Sequence, residues 1–395
     1  KNKNKKDMKS FSQNNLYFWV VIFVGLFARI LISQQGYNWD FMSYRLVTDL
    51  FQNGEDFYIT GRYNYAPIWI NILSFLDSLP NFNIDSFDPL RIKVVLFLSF
   101  VDLFIFFLLR REHSFIIAAF FFLNPISIFI SGFHNQFDNL AVLVGFIAIL
   151  IYEKNNKNFG FFVCSLLLGI SLCVKHVLFI LPIWLAFKEK NFLKKVLIIL
   201  IPYFIFLASF SFYIPEHFES IVKNVFQYSS FNNGPFWNIY MPYVVKFFIS
   251  IKVLFIASLF LFGLFIKGRP LKDIFYLYLL AVVVFSSAAS NQYFAIPLIA
   301  IVVFWNRFYA AYTFACVILF LVDESSLQIE WLVNIFDFNF THSRYLYHVI
   351  IFILSIGFFE TLFGKKRINK IFLKIYNIIK LVLLNLKEQF VINKK

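Results

Sequence analysis

From Leu16 to Phe363 the chain is a succession of apolar blocks of Phe, Ile, Leu and Val, parted by short polar stretches in which lysine collects. That pattern limits the fold more than any motif does. Sixty per cent of the residues are hydrophobic, 15% are charged, and mean hydropathy is +0.72. A water-soluble domain could not cover that much apolar surface. A bilayer can serve as the solvent instead, and at about 20 residues per helical crossing this length allows roughly a dozen spans with loops.

The expected fold is therefore all-α: a polytopic integral membrane protein with about 12 transmembrane helices. The expected spans are 16–33, 91–109, 114–132, 139–152, 159–173, 176–187, 192–212, 241–266, 274–288, 292–305, 308–322 and 346–363. Several are shorter than 20 residues and must be tilted, broken or buried among neighbours. The first follows a basic lead with no small-x-small cleavage site, and is read as a retained helix. With the N-terminus in the cytoplasm, 26 of the 36 Lys and Arg residues fall on the inner side, as the positive-inside rule requires. That distribution accounts for the net charge of +14 without nucleic acid. One feature strains the topology: Arg91 and Lys93 open a span on the outer side, and 66–79 must then be an interfacial or re-entrant helix. Two units follow, a membrane domain over 1–363 and a basic amphipathic helix over 364–395 on the cytoplasmic leaflet.

Cys164, Cys173 and Cys316 lie in apolar stretches with neither zinc nor disulfide spacing, so they read as small core residues. The polar chemistry collects on the outer side, at the mouths of helices. The long first loop contains Asp40, Tyr44, Arg62, Tyr63 and Tyr65. GFHNQFDN (132–139) supplies His134, Gln136 and Asp138, and VKHVLFILP (174–182) supplies Lys175 and His176. Gln292 and Tyr293 follow, and Arg344 stands just before the last span. Ionisable groups at apolar helix ends are costly and therefore candidates for function. Each also has a plain structural role: Asp40 and Asp138 as helix caps, Lys175 snorkelling to the interface, the histidines as satisfied core groups, the tyrosines in the interfacial belt. Asp102, inside the second span, is expected to pair with a neighbouring helix, and Asp56 to be a solvated loop charge.

Asp40, the YNYAP run (63–67), GFHNQFDN and VKHVLFILP resemble, in order, the motifs of the GT-C superfamily of polytopic glycosyltransferases, and within it the glucosyltransferases of N-glycan assembly. The first loop is also similar to that of the GPI-type mannosyltransferases, and SNQYFAIP (290–297) to a late turn shared by several such enzymes. The likeness covers about residues 15–300. The chain reads NQFDN where those glucosyltransferases read FQYN, and it lacks the doubled acidic D-x-D common among the mannosyltransferases, so the sugar stays open.

The resemblance implies a hexosyltransferase that takes its sugar from a polyprenyl-phosphate carrier. The acceptor would be a lipid-linked glycan or a similar molecule. It nominates Asp40 as the base on the acceptor hydroxyl, and Lys175, His176, Arg344 and Arg62 as contacts for the leaving phosphate. His134, Gln136, Asp138, Tyr44, Tyr65, Gln292 and Tyr293 would line the substrate site, and Trp39, Tyr44, Tyr63 and Tyr65 could stack on sugar faces. One in-line displacement predicts inversion. No cofactor is required, and a divalent metal is permitted without being needed. Membrane lipids are the other expected partner. The membrane would be a bacterial inner membrane or that of the endoplasmic reticulum, with the site facing the periplasm or lumen. A multi-span transporter or lipid-linked sugar flippase would share this topology, but the chain shows no internal repeat and gathers its charges at one face.

Overall fold

The computed structural model describes residues 2–81, 88–155, 158–228, 234–241, 249–336, 340–371 and 373–374. Among them there is helix and no strand. α1 (Asn2–Ser33), α4 (Pro89–Glu112) and the last long helix (Phe340–Phe363) contain the three stretches long and apolar enough to cross a membrane. α5 (Phe115–Phe122) and α6 (Pro125–Phe129) with its continuation to His134 would make a fourth if the pair is one span bent by 45°. The bend has a local cause. Asn124 caps the second half through its side chain, and Pro125 occupies the first helical position, where its missing N–H costs nothing.

Each of the twelve segments marked out above carries helix in its described residues. Several are shorter than a full crossing, among them α8 (Asn158–Val174), Ile251–Ile266 and Arg307–Val322. Residues 242–248 of the 241–266 segment lie outside the described residues. The tail is helical over residues 365–371, and the amphipathic pattern past residue 374 falls outside them.

α1 packs on α4 and on the 130–134 turn, α7 (Asp138–Lys154) on α8, and α8 on Phe192–Ala208. What locks α1 to its neighbours is polar. The Arg29 side chain is fully buried, and Nη2 reaches Asp102 Oδ2 at 2.9 Å and Ser127 Oγ at 2.7 Å. Nε donates to Ser131 Oγ at 2.9 Å, and Nη1 to the Gly25 and Phe122 carbonyls at 3.0 Å. Asn139 donates to the other Asp102 oxygen at 2.7 Å. Asp102 thus pairs with a neighbouring helix, as its place in an apolar segment required. Gly132 allows the close approach: a Cβ there would stand 2.8 Å from the Arg29 carbonyl.

The first long loop is built, not slack. α2 (Trp39–Gln52), a single 3₁₀ turn at Phe57–Thr60 and α3 (Ile68–Ser78) lie in it, and Tyr58, Tyr63 and Trp69 are fully buried. Asp56, expected in solvent, caps the 3₁₀ turn and accepts a hydrogen bond from Ser220. Arg91 and Lys93 are also absorbed here. Arg91 donates to the Gly36 carbonyl, and Lys93 Nζ to the Asp77 and Leu79 carbonyls at 3.0 and 2.6 Å. Backbone carbonyls at the loop's base satisfy two charges that looked misplaced in the sequence.

Candidate functional site

α1 stops at Ser33, and after a short turn Asn38 caps α2 by accepting the Asp40 N–H at 3.0 Å. Asp40 is therefore not the cap. It sits in the first turn of α2, where backbone N–H groups and the helix dipole favour a negative charge. Asp40 Oδ2 accepts from Gln136 Nε2 at 2.5 Å and from Asn38 Nδ2 at 3.2 Å. No described residue donates to Oδ1. Burial pushes the carboxyl above the usual carboxylate range, with Asp138 adding to the rise; Lys175 and the Asn38 and Gln136 amides oppose it.

Gln136 arrives through a tight turn. Asn135 takes a left-handed conformation at φ 56°, which asparagine tolerates, and the chain then enters α7. Lys175 is the extended residue that follows α8, at φ −158°. Its Nζ donates to Asp138 Oδ2 at 2.6 Å and to Gln136 Oε1 at 3.4 Å. It also lies 4.7 Å from the Phe137 ring centroid and 5.2 Å from that of Tyr65, within cation–π range. The lysine is buried and does not snorkel. Asp138 is no cap either: α7 is preceded by Phe137 with no side-chain bond. Asp138 Oδ1 is buried and without a partner.

These groups face a cavity of about 680 Å³. Nine of the twelve residues nominated from the sequence line it: Asp40, Arg62, Tyr65, Asp138, Lys175, His176, Gln292, Tyr293 and Arg344. Tyr44, His134 and Gln136 stand behind the wall. Tyr44 is buried and bonds Gln136 Oε1 at 3.4 Å. Of the aromatic residues assigned to stacking, only Tyr65 reaches the cavity. Trp39 is 70% exposed, and Tyr63 is spent on the Ala66 carbonyl and the Ile70 N–H.

His134 organises what lies behind. Because Asn38 Oδ1 accepts the Asp40 N–H, Asn38 must turn Nδ2 toward His134 Nδ1, 2.9 Å away. Nδ1 is then the acceptor, and Nε2 carries the hydrogen that reaches Ser326 Oγ at 2.8 Å. Asn291 Nδ2 continues the chain to Ser326 at 3.4 Å and Asp323 at 3.1 Å. His134→Leu is expected to remove one hydrogen bond each from Asn38 Nδ2 and Ser326 Oγ, at about 0.5–1.5 kcal/mol apiece since both keep other partners. Thermal unfolding would read that loss. Nitrogen-15 spectra should show an imidazole protonated at Nε2 alone, missing in the variant.

The sequence reading missed Asn38, Lys252, Asp323, Glu324, Ser325 and Ser343; all but Asn38 line the cavity. One signal was available. DESS (323–326) follows an apolar helix directly, much as Asp40 follows α1. No group of three or more His, Cys, Asp or Glu among the described residues is placed to hold a metal ion.

Chemically, a half-buried carboxylate with one open oxygen can take a proton from a hydroxyl. A neighbouring ammonium can stabilise an anion. No protein-family model, curated protein or solved structure matches this chain.

Proposed function

We propose that this protein is an integral-membrane glycosyltransferase of the GT-C type. It would move a hexose, with inversion, from a polyprenyl-phosphate carrier to a lipid-linked or other glycan acceptor on the non-cytoplasmic face. One observation carries the reading. Asp40 and Lys175, distant in sequence, share one cavity and are joined through Gln136, at 2.5 and 3.4 Å. A base and a cation on one cavity suit attack by a hydroxyl at a carbon whose leaving group is a phosphate. Asp138 holds the lysine in place, and His176 and Arg62 line the same cavity.

The membrane setting is supported by the three long apolar helices and by outward-facing Trp19, Phe23 and Phe104. In the proposed topology all twelve segments belong to the membrane domain, and the basic tail lies on the inner leaflet.

The test is transfer by purified protein from a panel of polyprenyl-phosphate hexoses to a lipid-extract acceptor. Labelled glycolipid is the expected product, with or without chelator, since a monophosphate leaving group carries less charge than a diphosphate. Transport of a solute into liposomes with no glycosylated product would replace this reading with a transporter.

A further inference from the structure

The cavity has a second polar wall, which the proposed displacement does not use. Asp323 ends the helix Arg307–Val322 and lines the cavity beside Glu324, Ser325 and Ser343. It is 4% exposed. Its carboxylate accepts from Asn291 at 3.1 Å, from Ser343 at 2.7 Å and from Ser325. All three donors are neutral.

That environment sets Asp323 apart. The other buried carboxylates among the described residues, Asp102, Asp138 and Glu360, each hold a cation: Arg29, Lys175 and Arg307. No cationic side chain of the described residues forms an ion pair with Asp323. A buried carboxylate without a counter-charge is costly, and such groups concentrate at functional sites. On the same cavity, Asp138 Oδ1 is a second buried oxygen with no donor. On this cavity the described residues thus leave acceptor capacity unused, at Asp138 Oδ1 and for one further donor at Asp323.

The Asp323 and Glu324 carboxylates disfavour a phosphate beside them and welcome hydrogen-bond donors. Adjacent hydroxyls on a sugar ring are such donors: Asp323, with three acceptor sites already filled, has room for one, and the exposed Glu324 carboxylate on the same cavity for others. We infer that Asp323, with Glu324, Ser325 and Ser343, is a subsite for sugar hydroxyls, an inference that rests on the reading of the cavity given above. The chain from Asp323 through Asn291, Ser326, His134 and Asn38 to Asp40 keeps this subsite in register with the reacting end.

The experiment is a binding comparison on the full-length protein in detergent. The probes are farnesyl phosphate, farnesyl-phosphate glucose or mannose, and octyl glucoside. Wild type should bind a glycosylated probe more tightly than bare farnesyl phosphate, or bind octyl glucoside. Asp323→Asn should remove about tenfold of the sugar-dependent affinity and leave farnesyl phosphate unchanged, as expected for a charge-assisted hydrogen bond. Glu324→Gln and Ser343→Ala, milder changes, should each show part of that loss if Asp323→Asn fails to fold. A loss confined to the farnesyl-phosphate sugars assigns the subsite to the donor, and one confined to octyl glucoside to the acceptor. Sugar-dependent affinity unchanged in every folded variant overturns the subsite alone. Wild type that binds none of the probes overturns both the subsite and the transferase reading.

Discussion

Replacing Asp40 by asparagine is expected to reduce sugar transfer by roughly a hundred- to ten-thousand-fold, the range over which a positioned base contributes, while the protein still folds. The substitution keeps the side chain's shape and removes only its basicity. Asn38 and Gln136 both donate to Oδ2, so they hold the side chain and leave Oδ1 to meet a substrate hydroxyl. The pH dependence has a definite sign. Burial raises the Asp40 pKa, so the active carboxylate is lost as pH falls through a value above the ordinary carboxylate range. The acidic limb of kcat/KM should lie correspondingly high in wild type. Transfer rates, a pH profile and the unfolding midpoint of the variant check this together. Near-wild-type transfer by Asp40→Asn would remove the residue from the chemistry.

The largest effect on stability is expected at Arg29. Arg29→Met leaves Asp102 as a buried, uncompensated charge, a class of change that costs about 3–5 kcal/mol. The Ser127 and Asn139 donors remain, but neither carries charge. Arg29→Met with Asp102→Leu should recover part of the loss, because removing both charges ends the imbalance, although Ser127 and Asn139 lose their side-chain partners. Thermal unfolding of the two variants in the same detergent decides it. A double variant less stable than the single one would mean that the pair serves packing more than charge balance.

The sequence made the helical blocks legible because a long apolar run is a one-dimensional signal. It also exposed Asp40, Asp138, Lys175 and His176, because a charge at the mouth of an apolar helix stands out locally. What it hid depends on three dimensions. Asp138 stands at the start of its helix, where the sequence alone allows a cap, and only the packing of α7 against α8 shows it bound to Lys175. Tyr63 and Tyr65 are two positions apart, yet one is buried in the loop's own core and the other faces the cavity. Asp323 went unnoticed because its partners come from residues 291, 325 and 343, and no local pattern links them. The number of crossings is similarly hard to read from pattern, since Asn158–Val174 and Arg307–Val322 are apolar enough but short.

The imidazole behind the cavity wall has a bearing on how the protein is made. Its two neighbours stand at positions 38 and 326, so one is synthesised before the histidine and the other long after it. A ribosome-bound chain released before Ser326 emerges has every group of the Asp40–Lys175 cluster and still lacks the far anchor. Competence should therefore appear late in biogenesis, as a single step, and not accumulate helix by helix.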